Sequence, residues 1–91
     1  SFISLKKVLP SGLSFLKKNG WLAALIKPQF EVGKGLVGKG GVVRDAKLHE
    51  EVINSISHWL EFEMKMNLLG IVESPILGPS GNKEFVVTAK K

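Results

Sequence analysis

Apolar and polar positions follow two different rhythms along the chain, and these rhythms mark out its elements. From Ser4 to about Lys18, Val8, Leu9, Leu13 and Leu16 recur at helical spacing, and Ser4 stands where an N-cap belongs. Pro10 falls inside that stretch and predicts a kink or a split in the first turn, because it removes a backbone donor. Asn19-Gly20 reads as the stop, with Lys17 and Lys18 suited to the negative end of the helix dipole. Trp21 to Ile26 is an unbroken apolar run of strand length, the pattern of a strand buried on both faces, and Pro28 ends it. Residues 28–44 hold five glycines and read as a long loop, a feature that usually signals function or mobility. Asp45 then occupies an N-cap position ahead of Leu48, Val52, Ile53, Ile56, Trp59, Leu60 and Met64, which predict a helix reaching about Met66. Leu68 to Glu73 reads as a strand, Pro75 to Lys83 as a turn, and Glu84 to Ala89 as a closing strand.

The order helix, strand, helix, strand, strand predicts an α/β fold. Its strand–helix–strand step implies two strands of the same direction with helix cover, and the final hairpin adds an antiparallel strand. That is half of a doubly wound sheet, so residues 1–91 read as part of a larger domain.

Composition narrows the function classes. An apolar content of 44% argues against disorder. No apolar run approaches the roughly 18 residues of a membrane span, and no signal peptide opens the chain. Without cysteine there are no disulfides or thiolate metal sites, which suits a reducing cytoplasm. The net charge of +5 favours a polyanionic partner such as RNA, although many small basic domains bind nothing in particular. His49 and His58 lie on the long helix with no HExxH pattern or cysteine cluster beside them. They read as surface residues, and no metal is expected.

Two residues stand where chemistry could occur. Lys27 follows the apolar run at the carboxyl end of its strand, the edge at which open α/β sheets bind ligands. Glu84 begins the last strand, and an antiparallel course brings it to that same edge. On spacing alone, a solvated lysine and an ordinary surface carboxylate remain the plainer reading. The segment Gly33-Lys34-Gly35-Leu36-Val37-Gly38-Lys39-Gly40 nearly matches a P-loop. However, Gly40 stands where Ser or Thr should hold magnesium, and the next helix starts too late to meet a phosphate. Lys34, Lys39 and Arg44 suit RNA phosphates better, with a plain solvated loop equally admissible.

Taken in order, Ser1-Phe2-Ile3-Ser4-Leu5, Leu25-Ile26-Lys27-Pro28-Gln29-Phe30-Glu31, Val37-Gly38-Lys39-Gly40-Gly41-Val42-Val43-Arg44-Asp45 and Gly81-Asn82-Lys83-Glu84-Phe85 resemble the TlyA family. That family, often labelled haemolysin, belongs to the FtsJ-like RNA 2′-O-methyltransferases, and the resemblance covers nearly the whole chain. It implies the C-terminal half of a Rossmann-like methyltransferase sheet, with the last strand lying antiparallel between the other two, and a Lys-Asp-Lys-Glu tetrad. Lys27 matches the second lysine and Glu84 the glutamate, and the other two members are expected upstream. It also implies S-adenosylmethionine as methyl donor, bound mainly by an N-terminal half outside this chain, an S4-type RNA-binding domain further upstream, and ribosomal RNA as substrate. The 91 residues alone are then expected to be inactive. Self-association through exposed sheet or helix surface is expected as well. The alternatives are a non-catalytic RNA-binding module and a membrane-active haemolysin. The second is disfavoured by Glu50, Glu51, Glu61 and Glu63 on the polar side of the long helix, and no membrane partner is expected.

Overall fold

The computed structural model describes residues 4–32 and 36–91. Helix α1 spans Leu5–Ser14, and the Ser4 hydroxyl caps it by accepting from the Lys6 amide. The helix is shorter than its pattern suggested and runs without a break through Pro10. The proline removes the bond to the Lys6 carbonyl, and Lys6 is exposed, so water can replace that donor. Because α1 ends at Ser14, Lys17 and Lys18 lie beyond it. The carbonyls at and just past its C-terminus are met instead from the far end of the chain, where the Lys91 ammonium donates to Leu13 O at 2.9 Å and Leu16 O at 2.7 Å. Leu13 is buried, with Leu9 and Leu16 packed against the core, while the Val8 side chain lies outside what is described.

Strand β1 spans Trp21–Ile26, β2 spans Asn67–Glu73, and β3 spans Phe85–Lys90. The sheet order is β1-β3-β2, with β3 antiparallel to both neighbours, so the last strand lies in the middle as expected. A bulge at Leu69 interrupts β2. The register assigns the two faces. Leu22–Ala89–Leu68, Ala24–Val87–Ile71 and Ile26–Phe85 face inward. Leu25–Val86–Val72 form a row on the opposite face.

Helix α3 spans Ala46–His58, capped by the Asp45 carboxylate accepting from Lys47 N. One π-helical turn, Trp59–Glu63, continues it, closed by Met64 N donating to Trp59 O. The regular helix therefore stops short of Met66. Val52, Ile56, Trp59 and Leu60 of this unit join Leu13 of α1 on the inner face of the sheet. Both helices cover the same side, which corrects the expectation that β1 is buried on both faces: Trp21 is 65% exposed, and Leu25 and Val72 are also open.

The glycine-bearing segment is more structured than a loop. It holds a short helix, α2, at Pro28–Glu31, a tight turn at Lys39–Gly41, and the buried residues Pro28, Val42 and Val43.

Candidate active site

Ile26 pairs with Phe85, and one further step of that register brings Lys27 and Glu84 to a single edge of the sheet. Lys27 leaves β1 in extended conformation and is followed by Pro28 at the first position of α2, where a missing amide costs nothing. Its ammonium lies 5.5 Å from the ring centroid of Phe30, within cation–π range. Glu84 is only 4% exposed. One of its carboxylate oxygens, Oε2, accepts from Gln29 Nε2 at 3.0 Å, and its backbone carbonyl accepts from Ser74 N at 2.8 Å. Gly78 forms a bare wall beside it: a Cβ at that position would fall on the Glu84 carboxylate. Among the described residues no ion pair joins Lys27 to Glu84, whereas Lys83 and Glu73 approach to 4.0 Å with both side chains about half exposed.

A second set of bonds fixes this edge from behind. Asn82, buried between the β2–β3 turn and the glycine-bearing segment, accepts from Val43 N and donates to Gly41 O, each at 2.9 Å. His49 is buried rather than superficial. Its Nε2 lies 2.7 Å from Val43 O, and since a carbonyl can only accept, that nitrogen donates. The imidazole also meets Phe85, the neighbour of Glu84, edge-on at 5.7 Å. His58 is exposed, as expected, and stacks on Phe62 at 4.6 Å. The Glu31 carboxylate accepts from Ser4 Oγ at 2.6 Å and Leu5 N at 2.8 Å, which ties the segment after β1 to the positive end of α1.

Of the three basic residues suggested for RNA contact, Lys34 lies outside the described residues and so does the side chain of Lys39. Arg44 is exposed, with its guanidinium beside the backbone of Gly38. A cleft of about 340 Å³ opens between α1, α2 and α3, lined by Lys6, Glu31, Glu51 and Ser55 among others. Lys27 and Glu84 do not line it, and the Lys6 ammonium is engaged by Ser55 Oγ at 2.8 Å. Among the described residues no cluster of His, Asp or Glu could hold a metal ion, and no helix is long and apolar enough to cross a membrane.

The chain is similar to several known proteins. Residues 1–91 match the model of the FtsJ-like methyltransferase family. The 16S/23S rRNA (cytidine-2′-O)-methyltransferase TlyA of Mycobacterium tuberculosis is 42% identical over 85 residues, covering 93% of this chain and 31% of that protein. Hemolysin A of Brachyspira hyodysenteriae is 39% identical over 87 residues, covering 94% of this chain and 35% of its own length. A solved hemolysin-like structure from Lactococcus lactis superposes with a TM-score of 0.93 at 44% identity, covering all of this chain and 43% of that one. The chain thus spans about a third of the length of the curated relatives it matches.

Proposed function

The chain belongs to the FtsJ-like methyltransferase family, and from that membership we propose that the full-length protein methylates a ribose 2′-hydroxyl of ribosomal RNA with S-adenosylmethionine as donor. The observation that carries this reading is that the strand register brings Lys27 and a buried Glu84 held by Gln29 to one edge of the sheet. The relative from Mycobacterium tuberculosis is named for 2′-O-methylation of ribosomal RNA, which gives the substrate class.

A ribose hydroxyl is a poor nucleophile until its proton leaves or the charge developing on its oxygen is stabilised. The Lys27 ammonium, placed beside that oxygen, stabilises the charge, and a site closed to bulk water strengthens the effect. Glu84 holds the lysine or the ribose in the reactive orientation. The described residues do not themselves build a methyl-donor site: the 38–41 segment folds as a turn fastened to Asn82, not as a strand-to-helix turn. Donor binding is therefore assigned mainly to the remainder of the longer protein, together with the other two members of the tetrad, and the 91 residues alone are inactive. A protein with this activity is expected to work in the cytoplasm, where ribosomal RNA is assembled into ribosomes. Glu50, Glu51, Glu61 and Glu63 are all exposed on the α3 unit, which opposes binding to an anionic membrane.

The test is transfer of a labelled methyl group to ribosomal RNA by the full-length protein, with and without Lys27→Ala. Label on a ribose oxygen is expected, with turnover reduced roughly 100- to 10,000-fold by the substitution and RNA affinity nearly unchanged. Glu84→Ala should cost less, roughly 10- to 100-fold. Near-normal turnover of Lys27→Ala at saturating donor would exclude the assigned role.

A further inference from the structure

The geometry points to Gln29 as a positioning residue that acts on the reaction through Glu84. This inference rests on the proposed role of Glu84 and names what holds it. Among the described residues, Gln29 Nε2 is the side-chain donor to the Glu84 carboxylate, at 3.0 Å. The orientation of the amide is dictated by chemistry, because a carboxylate oxygen accepts and only the NH2 end can donate to it. The opposite end, Gln29 Oε1, is buried with no hydrogen-bond partner among the described residues. A glutamine serving the fold alone would be expected to satisfy both ends. Here the oxygen goes without a donor while the nitrogen is aimed at the glutamate.

Gly78 supplies the other half of the clamp. Its missing side chain leaves the volume that the carboxylate fills. Its backbone cannot easily retreat, since its N–H donates to Asn82 O at 2.7 Å and its carbonyl accepts from Gly81 N at 3.1 Å. The carboxylate is thus pinned between an amide and a bare wall, and among the described residues its second oxygen is left without a hydrogen bond. Gln29 also follows Lys27 by two residues on the turn that opens at Pro28. It therefore links the end of β1 to the start of β3 and sets the lysine and the glutamate relative to one another.

The experiment is a double-mutant cycle on the full-length protein, reading kcat and KM for RNA under saturating methyl donor. Gln29→Met keeps the length of the side chain and removes the donor. It should lower kcat about 10-fold, the worth of one hydrogen bond to a charged group, with KM for RNA within about twofold. In a Glu84→Ala background the same substitution should change kcat less than about twofold, because its route of action is gone. Gly78→Ala should likewise lower kcat in the native background and change it little in the Glu84→Ala background, which guards against a Gln29 variant that misfolds. An equal loss from Gln29→Met with and without Glu84, or no loss in the native background, would overturn the positioning role. Normal turnover of Glu84→Ala would instead refute the reading of Glu84 itself, and this inference with it.

Discussion

Asn82→Ala is the substitution whose cost the structure defines most closely. The side chain is 2% exposed and bonds to two backbone groups in different settings. Val43 is itself 2% exposed, so its N–H loses its acceptor with no path to water, a loss of about 1–3 kcal/mol. Gly41 is exposed, and its carbonyl can turn to solvent at little cost. The space left by the amide adds about 1 kcal/mol, for a total of about 2–4 kcal/mol. The loosening should stay local, because Gly38 N still donates to Val42 O and His49 still holds Val43 O. Hydrogen exchange on the full-length protein reads this directly. The Val43 amide should lose roughly 30- to 800-fold in protection while amides of β3 change little. Methyl transfer should also slow, because Asn82 stands two residues before Glu84 and its side chain ties that turn to the segment leading into α3. Unchanged protection of Val43, or equal loss across β3, would show that Asn82 does not carry the segment.

Two further outcomes follow from the same coordinates. Lys91→Met should destabilise the fold by about 0.5–1 kcal/mol at low salt and by less at high salt, read from thermal unfolding, because a cation leaves the negative end of α1; an effect independent of salt would argue against it. The 91-residue chain prepared alone should associate through the open face bearing Trp21, Leu25 and Val72, and Trp21→Ser with Val72→Thr should weaken that association in sedimentation measurements; a monomer at every concentration before substitution would refute it.

The parts of this fold that could be read from sequence are those that local rules determine. The Ser4 and Asp45 caps, the apolar stripe of α3 and the three strands follow from residue type and spacing. The central position of β3 needed the family resemblance, because a closing strand satisfies the same alternation at an outer edge. The errors have specific causes. His49 looked superficial because histidine is often exposed, yet it stands three residues before Val52 and seven before Ile56, on the same stripe. Lys17 and Lys18 lie near α1 in sequence, but Lys91, which actually meets its last carbonyls, is 78 residues from Leu13. Lys27 and Glu84 could be named from the resemblance, and the register explains why they share an edge. Gln29, Gly78 and Asn82 could not, because each derives its role from a partner 39 to 55 residues away or from a carboxylate that fills a missing side chain's volume.

The reversal of β3 is what brings the two residues proposed for catalysis to one edge of the sheet. Had β3 run parallel to β1, its first residue would lie at the opposite edge from Lys27, a full strand length away. Because it runs antiparallel and pairs with both neighbours, its beginning meets the ends of β1 and β2 together. Three segments with no regular pairing of their own therefore converge there: the one leaving β1, the β2–β3 turn, and the stretch leading into α3. Backbone alone would leave them loose, since none pairs with the sheet. Side chains join them instead: Gln29 joins the first to the second, and Asn82 the second to the third. Glu31 then fastens the first to the start of α1. The Asn82–Val43 bond is buried and the other links are partly buried, and the deeper such a bond lies the harder it is to replace by water. The position of Glu84 is thus determined by contacts that cross between segments, and a substitution at any one of those links should be felt at the carboxylate before it is felt in the core.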